Sequence, residues 1–253
     1  MEGKTTTPLY TQVYLKANYC GVVDETTQWR GKAEAAYEQL RTDIEDGVLE
    51  AGRELPETEL VAYTGASRTP VREAVRRLAA EGLVDLLPRR APTVSRISLR
   101  SARALFDFRR LLEPESIRLV AERADEAPVL LAAITQLLER FESMAGDEYS
   151  EELAVTFRQA TGEFDSLLAQ NTPNHYLGRS IQELRPHSAR LRHIAHGDRS
   201  RIHEAILEHV RMCQAVLAGD SADAARAMFE HLEHVENAIF SRLLSGDAEL
   251  LVS

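Results

Sequence analysis

The sequence predicts a mainly α protein in two parts, an N-terminal winged helix-turn-helix followed by an all-α antiparallel helical bundle. Three observations predict it. A short helical pattern, a glycine and a longer amphipathic pattern run from Glu57 to Gly82. Two strand-like runs separated by a turn follow directly, between Leu83 and Ile97. Beyond Ser101 strand signals vanish and helical periodicity repeats towards the C-terminus.

Met1 to Gly31 is rich in Thr, Tyr and small polar residues without a sustained period, and reads as an irregular arm. Lys32 to Asp46 places Ala36, Tyr37, Leu40 and Ile44 on one face, as a first helix does. Gly47 to Gly52 ends that helix, and Leu55-Pro56 leads into the short pattern Glu57 to Thr64. Gly65 supplies the sharp turn. Ser67 is an expected N-cap, and Pro70 falls in the first turn, where missing backbone donors cost little. Val71, Ala74, Val75 and Leu78 then lie at i, i+3, i+4 and i+7, while Thr69, Arg72, Glu73 and Arg76 point the other way. Gly82 suits the stop. Short helix, glycine turn and long helix make a helix-turn-helix. Leu83 to Leu87 and Thr93 to Ile97 are strand candidates around Pro88-Arg89-Arg90-Ala91-Pro92, a wing with two arginines at its tip.

Ser98 to Ser101 is the expected boundary, giving an arm over 1–31, a winged helix over 32–97 and a helical domain over 98–253. Helical patterns cover Ala102 to Arg123, Pro128 to Met144, Glu151 to Ala169, Tyr176 to Ile194, Arg199 to Leu217 and Ser221 to Leu244. Pro186 is expected to kink or break the fourth of these. His209 shares a stripe with Ile202, Ile206, Cys213 and Val216, and His231 shares one with Ala224, Met228, Val235 and Ala238. Both lie about equally far from the turn at Gly219-Asp220, roughly 16 Å along each helix, so an antiparallel pair sets them level. Two histidines at matched height are read either as packing residues or as a ligand or metal site.

Thirty Lys and Arg against forty Asp and Glu leave a net charge of −10, so the chain as a whole repels nucleic acid. The segment from Arg68 to Arg96 is the exception: seven arginines stand there against Glu73, Glu81 and Asp85. Such a patch is the electrostatic footprint of phosphate binding. Cys20 and Cys213 are too few for a disulfide framework or a thiolate zinc site and fit a reducing cytoplasm. The longest apolar run is too short to span a bilayer, and the N-terminus lacks a signal-peptide pattern. A metal-dependent helical enzyme is the competing class. Against it, His203-Glu204 is followed by His209 rather than by a histidine at 207, and no Glu-x-x-His pair occurs.

From Ala36 to Ile97 the chain resembles the winged helix of GntR-type transcription regulators, most specifically at Ser67-Arg68-Thr69-Pro70-Val71-Arg72-Glu73-Ala74. The wing departs from the pattern at Ala91, where a glycine commonly sits. The helical part is similar to the FCD effector domain of the FadR-like branch, at Ala104 to Glu113, Phe164 to Leu168, Asn174 to Leu177 and from Glu208-His209 to His231-Leu232. The resemblance implies a ligand-responsive DNA-binding regulator, expected to be a repressor released by a small organic acid. One winged helix offers few base contacts, so a homodimer on a palindromic operator is expected. A bundle that only dimerises is the alternative. The resemblance implies DNA contacts at Ser67, Arg68, Thr69 and Arg72, which the residue pattern extends to Arg76, Arg89 and Arg90. Many such domains hold a divalent metal through an Asp, a His four residues later and two further histidines. Here Thr161 and Asp165 stand at the first two positions, and His209 and His231 at the others. Asp165, His209 and His231 are therefore the candidate ligands for zinc or nickel at an altered site. Arg109, with Thr161 beside the site, is the candidate partner for an effector carboxylate, ahead of Arg185, Arg190 and Arg192.

Overall fold

The computed structural model describes residues 25–195 and 199–244, with side chains over 31–191 and 201–242. The winged helix is built from α1 (Glu25–Glu45), α2 (Glu57–Thr64), α3 (Arg68–Ala80), β1 (Val84–Asp85) and β2 (Thr93–Val94). Helices α4 (Leu99–Glu122), α5 (Pro128–Ala145), α6 (Glu151–Asn171), α7 (His175–Ala195), α8 (Arg199–Leu217) and α9 (Ser221–Leu244) make the bundle, with a 3-10 turn at Ala124–Glu126.

Each amphipathic pattern buries the face its spacing marks. Ala36, Tyr37, Leu40 and Ile44 of α1 meet Val71, Ala74, Val75 and Leu78 of α3, and Leu60, Leu83 and Val94 complete this small core. The left-handed backbone of Gly65 ends α2 at a conformation that costs glycine little. Ser67 stands at the N-cap position of α3 with extended backbone, but its side chain makes no capping bond. The second core is separate and lies in the bundle, around Phe106, Phe141, Phe157 and Phe164, all fully buried. Helix α4 packs along α9, α5 along α8, and α6 lies against α5 and α7.

Three local expectations need correction. Helix α1 begins at Glu25, inside the segment expected to be irregular; the rest of that arm, residues 1–24, lies outside the described residues. The hairpin is shorter than expected, pairing only Val84 with Val94 and Asp85 with Thr93. Pro88 and Pro92 have no N–H to extend the ladder, and Leu86 and Leu87 are exposed. The backbone at 52–55 instead adds a third line, through Gly52 N–H to Val94 O at 2.8 Å and Leu55 N–H to Pro92 O at 2.7 Å. Finally, α7 runs unbroken through Pro186, as α4 does through Pro114. Packing of α7 against α1, α4, α6 and α9 holds it where isolated propensity would end it.

The two cores are joined through α7. Its His187 Nε2 lies 2.8 Å from the carbonyl oxygen of Glu81, the C-cap residue of α3. Arg190, three residues on, donates to the hydroxyl and the carbonyl oxygen of Ser95 at the base of the wing. Ser95 in turn donates to the carbonyl of Gly82 at 2.7 Å.

Candidate nucleic-acid interface and bundle cavity

Burial of the apolar stripe of α3 fixes what the other face presents. Ser67, Arg68, Thr69, Arg72 and Arg76 are all exposed, and so are Arg89 and Arg90 on the wing. Arg89 adopts φ of 63°, a left-handed backbone unusual for a residue with a Cβ, at the tip of the wing. Not all of these charges are idle. Glu57, at the start of α2, accepts from Arg72 Nε at 2.5 Å and Nη2 at 3.2 Å, and lies 3.6 Å from Arg68. Hydrogen bonding to Glu57 raises the Arg72 pKa further above its ordinary value. Arg76, Arg89 and Arg90 have no ion pair among the described residues. A nearby arginine is spent elsewhere: Arg77 is bound to Glu34 at 2.6 Å and lies over the Tyr37 ring, 3.7 Å from its centroid.

In the bundle, one small cavity is lined by Arg109, Glu113, Thr161, Asp165, His209 and His231 together with Met212, Met228 and Val235. Its free volume is about 20 Å³, room for about one water molecule. A second cavity of about 20 Å³ shares Arg109, Glu113, Asp165 and Met228 and adds Arg185 and Ser188. The structure thus brings together the residues singled out in sequence as metal and effector candidates. Arg109, only 6% exposed, is held by Glu113 through Nε at 2.6 Å and Nη2 at 3.0 Å. Burial alone depresses its pKa, but Glu113 and, at longer range, Asp165 outweigh it and hold Arg109 charged. Of the weaker effector candidates, Arg185 bonds the carbonyl of Gly162, Arg190 belongs to the domain junction, and the side chain of Arg192 lies outside the described residues.

His209 and His231 do sit side by side, with ring centroids 4.8 Å apart and planes at 80°. Phe141, Phe157 and Phe164 ring His209 at 5.1, 5.4 and 5.6 Å. Each imidazole has Nδ1 against an acceptor: the Ala205 carbonyl at 2.7 Å for His209, and Glu208 at 2.5 Å for His231. Glu208 is itself gripped by Arg201 at 2.6 Å and reached by His234 at 2.7 Å. Burial would raise the Glu208 pKa, but bonds from His231 and Arg201 overcome it and hold the carboxyl at about 2. Nδ1 engagement of this kind leaves Nε2 as the outward nitrogen, the arrangement usual behind metal-bound imidazoles. Against a resident ion, the Arg109 guanidinium lines the same cavity, and no three His, Cys, Asp or Glu groups converge closely enough to hold a metal among the described residues.

With this geometry in hand, the comparisons decide the family. Residues 32–102 match the model of bacterial regulatory proteins, gntR family, and residues 104–234 match the FCD domain. The chain belongs to the GntR family and carries an FCD domain. Relatives of the family include an uncharacterised HTH-type transcriptional regulator, YdhC, of Bacillus subtilis, 26% identical over 78% of this chain and 86% of that protein. The HTH-type transcriptional repressor RspR of Escherichia coli is also 26% identical, over 80% of this chain and 86% of its own. Among solved structures, Escherichia coli McbR/YncC shares the fold with a TM-score of 0.71 at 20% identity, over 84% of this chain and 98% of that one. A putative GntR regulator from Rhodococcus sp. RHA1 follows at 0.67 and 22%, over 83% and 98%. The protein is thus a GntR transcriptional regulator with an effector-binding domain, not an enzyme. Among the described residues no helix is long and apolar enough to cross a membrane.

Several residues that shape these sites escaped the sequence reading. Glu113 stood one turn from Arg109 and was legible as an i, i+4 partner. Glu57 and Glu208 carried a weaker signal, since Glu57 meets Arg72 and Glu208 meets His231 only through the packing of separate helices. His187 had no signal at all: its partner is a backbone carbonyl 106 residues away.

Proposed function

We propose that this regulator is a cytoplasmic homodimeric repressor that binds a palindromic operator through α3 and the wing and is released by a small organic acid. The observation that carries the DNA-binding half is the α3 face itself. Ser67, Arg68, Thr69, Arg72 and Arg76 are exposed together on a helix whose other face is locked in the winged core. A protein of net charge −10 has no general affinity for DNA, so contact must be made by that patch and by Arg89 and Arg90. One winged helix reads few base edges, and pairing two by a two-fold axis is the common route to specificity. Phe108 and Leu111, exposed one turn apart on α4, supply an apolar patch suited to a second copy. Selection of bound sequences from a random duplex pool is expected to return two inverted half-sites. A single unrepeated half-site, with a monomer by light scattering, contradicts the dimer.

For release, the bundle cavity offers Arg109 as the carboxylate partner, with Thr161 beside it. An organic acid entering a space of about 20 Å³ must take Arg109 from Glu113 and move side chains, which makes binding and conformational change one event. Titrating protein–duplex complexes with small organic acids tests this: loss of complex with wild type, and none with Arg109→Met, is the expected result. If no acid releases either protein, the bundle serves dimerisation alone.

A second reading is favoured by the Nδ1 partners of His209 and His231. With Asp165 they would offer one carboxylate and two imidazoles to zinc or nickel. Metal analysis after dialysis, on wild type and His209→Ala, tests it. A stoichiometric ion lost in the variant supports the metal, and an ion-free wild type refutes it.

A further inference from the structure

A buried charge without a counter-charge lies outside the bundle cavity, at the junction of the two domains. A cleft there is walled by Gly82, Asp85, Ser95 and Arg96 of the winged helix, by Ser101 and Leu105 at the start of α4, and by His187, Arg190 and Leu191 of α7. It offers about 410 Å³, within the roughly 300–1,000 Å³ of ordinary small-molecule sites. The bundle cavities, at about 20 Å³ each, do not.

The cleft is also short of negative charge. Arg190 is 7% exposed, yet among the described residues no carboxylate lies within ion-pair distance of it. Its partners are the hydroxyl and carbonyl oxygens of Ser95. Contrast Arg109 and Arg201, the other buried arginines among the described residues, each gripped by a glutamate at 2.6 Å. Burial pulls the Arg190 pKa down to about 10, with Asp85 opposing only at long range. Arg96 also lines the cleft and has no ion pair among the described residues, and part of its guanidinium lies against Gly52, whose added Cβ would meet Arg96 Nε at 2.8 Å. A buried cation without an anion is expensive unless something supplies one.

We propose that this interdomain cleft is a second ligand site, taking a small singly charged carboxylic acid whose carboxylate sits between Arg190 and Arg96. The charge of the lining sets the class. Two arginines face one carboxylate, Asp85, and neutral His187, which favours a monoanion over a polyanion. Asp85 and Ser101 remain to accept from, or bond to, a hydroxyl on the same molecule, so a hydroxy acid fits better than a plain one. Because the walls come from β1, the wing base, α4 and α7, an occupant bridges the domains and stiffens the angle between them. The site is independent of the bundle cavity and stands whether or not that cavity takes a ligand.

Calorimetric titration of the full-length protein with glycolate, acetate and inorganic phosphate tests the proposal. Saturable binding of glycolate, weaker binding of acetate and little of phosphate are expected. The glycolate affinity should fall at least about tenfold in Arg190→Lys, which keeps the charge but loses the planar fork, and in Arg96→Gln, a substitution at an exposed position. It should be unchanged in Arg226→Gln, an exposed arginine outside the cleft and the bundle cavities. Binding lost in Arg109→Met but kept in both cleft variants would place the acid in the bundle and overturn the cleft, while preserving ligand response. Phosphate binding more tightly than glycolate overturns the assigned class, and absence of saturable binding by all three overturns the site.

Discussion

Glu57 and Arg72 form an ion pair on the exposed face of α3 proposed to meet DNA, where a phosphate would compete with a carboxylate already in place. Exposed pairs of this kind contribute little to stability, and their removal is not expected to disturb folding. Glu57→Gln should therefore tighten binding to duplex of any sequence, because it frees Arg72 and Arg68 and removes a negative charge. Arg72→Ala should weaken operator binding by about tenfold or more. Equilibrium binding to labelled operator and to scrambled duplex checks both. Equal affinity of Glu57→Gln and wild type for scrambled duplex would mean that Glu57 does not restrain these arginines.

At the scale of elements, α3 and α7 behave differently with respect to what the sequence reveals. The stripe Val71, Ala74, Val75, Leu78 was legible because local periodicity determines which face is buried, and its exposed complement followed at once. Leu78 is fully buried in the small winged core, so Leu78→Ala is expected to cost about 2–5 kcal/mol in chemical denaturation. The stripes of α8 and α9 likewise placed His209 beside His231, as their ring contact shows. Helix α7 was less legible. Pro186 argued for a break, but packing on four helices overrides it. Its bond from His187 to the end of α3 is a tertiary contact to a backbone atom, which no side-chain pattern encodes. Burial holds the His187 pKa below its ordinary value, so the unfolded chain takes up this proton first as pH falls. Stability from this group is present above about pH 6.5, the unfolded value, and declines as pH drops below it towards the folded pKa. Urea denaturation at neutral and mildly acidic pH should show that loss in wild type and a smaller one in His187→Gln. An identical pH dependence in the two proteins would remove His187 from the account.

The whole molecule sets acidic bulk against a basic reading surface. Net charge of −10 disfavours unselective association with DNA, and Arg68, Arg72, Arg76, Arg89 and Arg90 gather positive charge on one side. The bundle touches the winged helix through α7, at Glu81 and Ser95. These α7 contacts link the bundle to the C-terminal end of α3 and to the base of the wing without involving its tip. If the exposed α3 face and the wing arginines grip phosphates as proposed, operator affinity must depend on salt. Operator affinity measured from low to moderate salt should fall linearly on a log–log plot, as counterion release requires. The slope should become shallower by about 1 for each of Arg76→Ala and Arg89→Ala, the expected loss of one phosphate contact. A wild-type affinity that does not change with salt, or variants with the wild-type slope and affinity, would contradict it.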